Sequence, residues 1–269
     1  MMRDKISRLM LLLGVAAVGY VWYFEPTYAQ EELTQRLCES LVYRLFGSVV
    51  FLSLCLYFHY RLLHLPPKSA WSVWLPCIAV VVNNLPILAL ANGTAWVERW
   101  DLFPLFVADA LLIGVFEELA FRGTLFLAIL EKRRDSKKKI FWTTVVSSAL
   151  FGLLHLTNLL DGAGVGATLM QVGYSFLIGG MCSIVLLKTG NLLICILLHA
   201  VFDFGGMLIP TLGAGKIWNV PTIVITAVLG VAVAAWEIYV LLHVTPEETE
   251  KFYPTAPVEQ RDVEGERRQ

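Results

Sequence analysis

The segment Glu117-Glu118-Leu119-Ala120-Phe121-Arg122 places two acids and one base inside a run that otherwise has the composition of a membrane-spanning helix. An ionisable side chain at bilayer depth costs roughly 2.5–3.5 kcal/mol on insertion scales, so three of them need partners, a water-filled cavity and a task. On a helix, Glu118 and Arg122 are four residues apart and share a face, whereas Glu117 points about 100° away. We therefore predict that Arg122 neutralises Glu118 and that Glu117 is left for chemistry.

Three further polar side chains, His155, His199 and Asp203, lie in later apolar runs. Counted at 1.5 Å per residue from the loops on one side of the membrane, they and Glu117 lie at depths of roughly 12 to 24 Å. The alternatives are a structural ion pair between Glu118 and Arg122, and helix-packing hydrogen bonds for the histidines. Convergence of four polar groups at one level, on three helices, favours a functional site instead.

A glutamate, two histidines and an aspartate are the groups that water activation needs. A carboxylate or imidazole takes the proton from water, and polar donors hold the developing oxyanion. The same four side chains could bind Zn²⁺ or another divalent metal, whose bound water would have a pKa of about 7. Both routes are hydrolytic. The sequence contains no nucleophile motif of a serine or aspartyl intramembrane protease and no His-Glu-x-x-His stretch.

Other polar residues of the apolar runs have weaker claims to function. Five of them either line the cavity or make hydrogen bonds between helices: Asn83, Asn84, Asn158, Gln171 and Ser175. Arg44 is predicted to extend to the membrane interface from the outer end of its helix. The 5 cysteines have no CxxC spacing and are predicted to be small buried hydrophobic residues.

The composition and the length of the apolar runs predict the fold. Hydrophobic residues make up 57% of the 269-residue chain, charged residues 16%, and the mean hydropathy is +0.66, all typical of a polytopic membrane protein. Each apolar run is near the ~20 residues that a ~30 Å hydrocarbon core requires. With generous boundaries the runs are 9–24, 37–60, 70–91, 102–130, 140–157, 168–188, 191–209 and 218–243. We therefore predict an all-α protein with about eight transmembrane helices in a single domain, 1–243.

The first run, 9–24, follows a basic start and could be either a signal sequence or an uncleaved helix. Trp22 and Tyr23 at its interfacial end favour the uncleaved helix. Eight spans place both termini and the basic loops 60–69 and 131–139 on one side, so both termini are predicted to be cytoplasmic. This positive-inside role accounts for the basic residues, and no nucleic-acid partner is predicted. Segment 244–269 alternates charge with proline and is predicted to be a disordered cytoplasmic tail.

Three motifs in successive helices resemble those of one protein family. Glu-Glu-x-x-x-Arg at 117–122, Phe-x-x-x-His at 151–155 and His-x-x-x-Asp at 199–203 resemble the CPBP family of intramembrane proteases. That family includes CAAX prenyl endopeptidases and bacterial Abi proteins, which process bacteriocins or provide self-immunity. The segments 171–180 and 188–192 are similar to the sixth helix of that family and to the turn before its seventh. The resemblance covers about residues 102–209.

The resemblance implies an eight-helix fold with Glu117 as the acid/base that activates water and with His155 beside it. It also implies that His199 and Asp203 are metal ligands or oxyanion donors, and that Glu118 and Arg122 stabilise the site. Asp203 departs from the asparagine that is frequent in the prenyl-protease branch, which favours the bacterial branch over a prenylated substrate. The extra negative charge also mildly favours a metal over a metal-free glutamate mechanism.

The sequence thus predicts an endopeptidase of the plasma membrane of a prokaryote, acting on a peptide or membrane-protein substrate in or near the lipid bilayer. The alternative is a catalytically silent immunity or assembly scaffold of the same fold. The intact motif residues favour the enzyme. A transporter would show repeated halves with interrupted helices, and the sequence shows no such repeat.

Overall fold

The computed structural model describes residues 32–67, 71–160 and 162–254, and most of this part of the chain is helical. In chain order the helices are α1 (Leu33–Tyr57), α2 (Trp71–Asn84), α3 (Ile87–Ala91), α4 (Phe103–Glu118), α5 (Leu127–Glu131), α6 (Lys137–Leu154), α7 (Val165–Thr189), α8 (Leu192–Leu212) and α9 (Val220–His243). A π-helical segment joins α4 to α5, and short 3-10 helices occur at Trp100–Leu102, His155–Leu159 and Pro246–Phe252. Each predicted run from 37 onward is mostly helical, although the run 70–91 is broken into α2 and α3, and this confirms the all-α class. The run 9–24 lies outside the described residues.

Several of these helices are suited to the interior of a bilayer. In the described part of the chain, five helices are long and apolar enough to cross a membrane: Leu33–Tyr57, Lys137–Leu159, Val165–Thr189, Leu192–Leu212 and Val220–His243. Along the most apolar stretch of α9, only 11% of the residues are buried inside the protein. Such an exposed apolar helix is stable against lipid and would be unstable against water. The total of eight helices and the orientation of the termini stay predictions.

Two small residues set the packing at the centre of the bundle, where α4 lies between α1 and α8. A Cβ atom on Gly114 of α4 would lie 2.8 Å from the carbonyl oxygen of Ile196, so only glycine allows α4 this close to α8. On the other side, a Cβ atom on Gly47 of α1 would lie 2.5 Å from the ring of Phe116. The absence of side chains at these two glycines therefore brings three helices together just before Glu117 in the sequence.

A short antiparallel β-pair closes one end of the bundle and was not predicted from the sequence. Strand β1 (Ala95–Val97) pairs with β2 (Gly213–Gly215), with Trp96 opposite Ala214. Gly215 has a positive φ of 111°, and its hydrogen atom faces the carbonyl group of Thr94, which a side chain could not approach. The pair ties the connection before α4 to the end of α8, and so fixes the two central helices relative to each other.

The predicted disorder from residue 244 is wrong for the first part of that segment. Pro246–Phe252 forms a 3-10 helix, and the side chains of Phe252 and Tyr253 are buried in the main hydrophobic core. The Tyr253 hydroxyl donates a hydrogen bond of 2.9 Å to the carbonyl oxygen of Leu127, and burial raises its pKa far above the usual range, so it stays a donor. Two aromatic side chains thus anchor a segment whose composition alone suggested a solvated tail. Residues 255–269 lie outside the described part.

Candidate active site

The predicted site residues lie on α4 and the π-helical segment after it, at the end of α6, and on α8, and α4 meets α8 at Gly114. Glu117 and Glu118 are the last two residues of α4, one turn after Gly114. His199 lies in α8, between the residues that Gly114 touches, Ile196 and Ala200. The close approach at Gly114 therefore brings the two glutamates directly against the histidine.

His199 is the centre of this cluster. Its Nδ1 lies 2.7 Å from Oε1 of Glu118, within hydrogen-bond distance of a carboxylate. Its Nε2 lies 3.3 Å from Oδ2 of Asp203 and 3.4 Å from Oε2 of Glu117. Carboxylates only accept hydrogen bonds when ionised, so Nδ1 donates to Glu118, while Nε2 faces the other two acids. One imidazole therefore connects all three carboxylates.

The predicted pair between Glu118 and Arg122 is present, but it is shared. Nη1 of Arg122 lies 3.0 Å from Oε1 of Glu118, the same oxygen that accepts from His199, and the two side chains are 1% and 0% exposed. The guanidinium also stacks over the ring of Phe151, 4.4 Å from its centroid, which is cation–π geometry. Within the described residues, no hydrogen bond reaches Glu118 Oε2 or either terminal nitrogen of Arg122. The contact between Glu118 and Arg122 is thus an electrostatic one.

Glu117, which is predicted to be left for chemistry, is connected to the Glu118–Arg122 pair through His199. Its carboxylate faces His199, the histidine that also holds Glu118. Helical spacing within α4 tells which residues share a face, but not which side chain another helix brings to the opposite face. Glu117 also lines the central cavity, as the predicted water-activating role requires.

A π-helical segment, Leu119–Phe126, begins directly after Glu118 and was not predicted from the sequence. The hydroxyl of Thr124 donates a hydrogen bond of 2.9 Å to the carbonyl oxygen of Leu119, five residues earlier. A Cβ atom on Gly123 would lie 3.0 Å from Sγ of Cys55, so the wider turn is packed tightly against α1. Single π-helical turns inside α-helices frequently occur at functional sites.

His155 lies at the end of α6, where the helix tightens into a 3-10 turn. Its Nδ1 donates a hydrogen bond of 3.1 Å to the carbonyl oxygen of Phe151, because a carbonyl can only accept. This bond leaves Nε2 as the nitrogen available for other chemistry. The ring of Phe151 also meets the rings of His155 and His199 edge to face, with centroid distances of 5.3 and 5.7 Å. Phe151 therefore sets the placement of both histidines.

All four groups that are predicted to activate water open onto one cavity of about 750 Å³. Glu117, His155, His199 and Asp203 line it, as predicted. The five polar residues of uncertain role line it as well: Asn83, Asn84, Asn158, Gln171 and Ser175. Four of them, all except Ser175, also make hydrogen bonds between helices or segments, so both explanations hold for these four. A cavity of this size with a few convergent polar groups is typical of a binding site.

Arg44 and Asp109 form a second buried pair that the sequence analysis did not find. Nη1 of Arg44 lies 2.9 Å from Oδ1 of Asp109, and the same oxygen accepts a hydrogen bond of 2.6 Å from the hydroxyl of Ser40. Arg44 lines the cavity, so the prediction that it extends to the interface is wrong. The clue was an aspartate in the apolar run 102–130, since a buried acid of this kind needs a cation.

Glu237 is a further buried acid that sequence reasoning missed. It is 6% exposed and lies on α9, where its carboxylate rests against Gly180 of α7. Gly180 has no Cβ atom, and that leaves the room for this carboxylate. Glu237 does not line the cavity, and its Oε1 has no hydrogen-bond partner among the described residues.

The predicted metal site depends on how its four side chains are arranged. Imidazole and carboxylate groups suit Zn²⁺ chemically. In the described part of the chain, however, no three His, Cys, Asp or Glu side chains are arranged so as to hold a metal ion. His199 instead directs one nitrogen at Glu118 and the other between two carboxylates. Metal binding by Glu117, His155, His199 and Asp203 thus stays a prediction.

Comparison with known proteins agrees with the motifs. Residues 99–205 match the family described as type II CAAX prenyl endopeptidase Rce1-like. The matched segment contains all six predicted site residues, and it confirms the resemblance of this part of the chain to the CPBP and CAAX protease family. No curated protein and no solved structure matches the chain. Together with the apolar helices, this match supports an integral membrane protein that is similar to a family of membrane proteases.

Proposed function

We propose that this protein is an intramembrane endopeptidase that hydrolyses a peptide bond in or near the membrane, using water activated by glutamate and histidine. The observation that carries the proposal is the cluster of Glu117, Glu118 and Asp203 around His199, at the wall of a cavity inside the helical bundle. Buried ionisable groups of this number are costly in a membrane, and a catalytic task explains why the chain retains them.

Glu117 is the general base of the proposed reaction. It accepts a proton from water as the water oxygen attacks the carbonyl carbon of the peptide bond. His199, as an imidazolium among its carboxylates, donates a hydrogen bond from Nε2 to the developing oxyanion. Nε2 of His155, which the bond from Nδ1 to Phe151 leaves as an acceptor, accepts a hydrogen bond from the attacking water. The proton then passes from Glu117 to the leaving nitrogen as the carbon–nitrogen bond breaks, giving one carboxyl and one amino end. Glu118 holds His199 in place through Nδ1 and is a positioning residue.

The substrate class follows from the cavity. Amide side chains such as Asn158 and Gln171 match the donors and acceptors of a peptide main chain, and apolar neighbours such as Met170 and Leu229 match hydrophobic side chains. We therefore propose a peptide or membrane protein whose cleaved segment is largely apolar. Asp203 in place of asparagine argues for an unmodified bacterial peptide over a prenylated one, and the plasma membrane of a prokaryote is the proposed location.

The proposal is tested with the full chain in lipid nanodiscs. A farnesylated peptide with a C-terminal CAAX sequence and a library of unmodified apolar peptides are incubated with the protein, and products are identified by mass spectrometry. We expect cleavage by the wild type and by the control Glu131→Ala, which removes a carboxylate at the far end of the same helical segment. Glu117→Ala and His155→Ala should fold and lose cleavage.

Each contrary result has a distinct meaning. Folded Glu117→Ala and His155→Ala variants that still cleave would overturn the assigned chemistry. If the Glu117→Ala and His155→Ala variants fold, and cells that carry them in place of the wild type keep the wild-type phenotype, the protein is a silent scaffold. If both variants unfold, the polar groups are structural.

The metal is tested separately on the wild type. Treatment with a chelator should abolish cleavage, with recovery on added Zn²⁺, if the four side chains bind a metal. Cleavage that survives chelation, in protein shown by elemental analysis to be metal-free, supports the glutamate mechanism.

A further inference from the structure

The helix α2 stops inside the bundle, next to the candidate active site. It ends at Asn84, and Leu85 and Pro86 separate it from the short helix α3. Proline has no N–H group to continue the hydrogen-bond ladder and disfavours helical geometry at the preceding residue. The break therefore presents both the main chain and the side-chain amide of Asn84 to the neighbouring helix α8.

Asn84 docks onto α8 at two successive glycines. Its Nδ2 donates a hydrogen bond of 2.6 Å to the carbonyl oxygen of Phe202. A Cβ atom on Gly205 would lie 2.7 Å from the main-chain oxygen of Asn84, and one on Gly206 would lie 3.0 Å from its Nδ2. The two glycines thus form a recess that fits Asn84, and a larger residue at either position would displace it.

The carbonyl group that Asn84 holds belongs to the residue before Asp203. Because the peptide unit is planar, the Phe202 carbonyl oxygen and the Cα atom of Asp203 lie in one rigid plane. The ring of Phe202 is held as well, by Tyr174 of α7 at a centroid distance of 5.9 Å. The carboxylate of Asp203 in turn lies 3.3 Å from Nε2 of His199.

We propose that Asn84 is a positioning residue, which fixes the Phe202–Asp203 peptide unit from α2 so that the Asp203 carboxylate faces His199. The inference rests on the proposed function for its consequence in catalysis. A carbonyl oxygen has two lone pairs, so the bond from Asn84 adds to the helical bond of α8 and does not replace it. The helix α2, which carries none of the motif residues, thereby supports the site.

The test compares Asn84→Ser with a matched control, Asn191→Ser. Each substitution removes one hydrogen bond from an asparagine Nδ2 to a main-chain carbonyl of another segment, 2.6 Å to Phe202 and 2.9 Å to His64. Serine at 191 can still cap α8, the role that Asn191 now has. Both variants should therefore lose similar thermal stability.

Only Asn84→Ser should impair the reaction. We expect its kcat to fall by about 10- to 100-fold with a nearly unchanged KM, as for a misplacement of catalytic groups by about 1 Å. Asn191→Ser should keep kcat near that of the wild type. Gly206→Ala should also lower kcat, but by a smaller factor than Asn84→Ser does. Combined with Asn84→Ser, it should lower kcat little further, because serine at position 84 leaves room for the methyl group.

A readout without turnover separates this inference from the proposed function. Cys38 is exposed, contrary to the prediction that the cysteines are buried, whereas Cys55, Cys77, Cys182 and Cys195 are buried. In an Asp203→Cys background that also carries Cys38→Ser, the rate of maleimide labelling at position 203 should change several-fold on Asn84→Ser and stay constant on Asn191→Ser. If no peptide is cleaved but labelling behaves this way, the proposed function fails and the positioning role stands. A folded Asn84→Ser variant with wild-type kcat or an unchanged labelling rate overturns the role of Asn84.

Discussion

Two buried arginines in this bundle are each paired with a carboxylate, and the two pairs differ in how the chain builds them. Arg122 and Glu118 are four residues apart on one helical segment, with exposures of 1% and 0%. Arg44 and Asp109 are 65 residues apart on α1 and α4, with exposures of 9% and 4%. The first pair follows from helical spacing alone. The second depends on how α1 and α4 pack against each other, at a place where Gly47 faces the ring of Phe116.

The pairs also differ in what else they hold. Oε1 of Glu118 accepts from His199, whose other nitrogen faces Glu117 and Asp203. Oδ1 of Asp109 accepts from Ser40 and Arg44, both on α1. The Glu118 pair therefore connects to reactive groups at the cavity, whereas the Asp109 pair joins two helices. We expect substitutions around Glu118 to affect chemistry and stability, and those around Asp109 to affect chiefly stability.

The largest contrast is expected between Glu117→Gln and Asp109→Asn, which each neutralise one buried acid of α4. Glu117→Gln should lower turnover by roughly 10²- to 10⁴-fold, because an amide cannot accept a proton from water at neutral pH. Its folding should be almost unchanged, since the amide is nearly isosteric. Asp109→Asn should remove the carboxylate that Arg44 pairs with and lose roughly 3 kcal/mol of stability while the folded protein still turns over. Thermal unfolding in detergent and peptide cleavage, measured on both variants, check the contrast, and full turnover by Glu117→Gln contradicts it.

Glu118→Gln should be intermediate and affect both properties. It leaves Arg122 as an uncompensated buried charge, at a cost of roughly 3–5 kcal/mol. It also weakens the acceptor for Nδ1 of His199, because an amide oxygen accepts less strongly than a carboxylate. The double change Glu118→Gln with Arg122→Met should regain part of the stability and little of the turnover. Absence of any rescue in unfolding measurements would show that the pair is not the source of the loss.

Arg44→Met should destabilise the protein somewhat less than Glu118→Gln, because the Arg44–Asp109 pair is less completely buried than the Glu118–Arg122 pair. We expect a loss at the lower end of the roughly 3–5 kcal/mol for a broken buried pair. The combination Arg44→Met with Asp109→Leu removes both charges and should return close to wild-type stability. Chemical denaturation of the single and double variants gives the comparison. A double variant no more stable than Arg44→Met would indicate that the pair also supplies hydrogen bonds that an apolar contact cannot replace.

The sequence predicted the helices well because a membrane-spanning helix needs only a run of apolar residues of sufficient length. It also predicted that Glu117, His155, His199 and Asp203 share one cavity, because depth along a helix can be counted from its loops. It failed wherever contacts between helices decide the outcome. Nothing in the spacing of the chain places His199 beside Glu118, 81 residues away. That neighbourhood depends on the missing side chain of Gly114.

Departures from regular helical structure also could not be predicted in full from the sequence. The π-helical turns after Glu118 depend on Thr124 and Gly123 packing against α1, which a helical pattern does not encode. The break after Asn84 could be expected from Pro86, yet its docking onto the glycines of α8 could not. The order of segment 246–253 was missed because a charged composition outweighed two aromatic residues. Packing overrides local composition in each of these cases.

The smallest effect is expected at a third ion pair, Lys188 with Glu248, which joins the end of α7 to the 3-10 helix after α9. Nζ of Lys188 lies 2.8 Å from Oε2 of Glu248, a contact as short as those of the buried pairs. Its side chains are 23% and 30% exposed, however, so water and salt screen the attraction. Glu248→Gln should therefore cost only about 0–1 kcal/mol, in contrast to the buried pairs with the same geometry. Unfolding measured at low and high salt checks this: the small difference from the wild type should shrink as salt is added, and should leave turnover unchanged. A loss as large as that of Glu118→Gln would mean that the burial of a pair does not set its contribution in this protein.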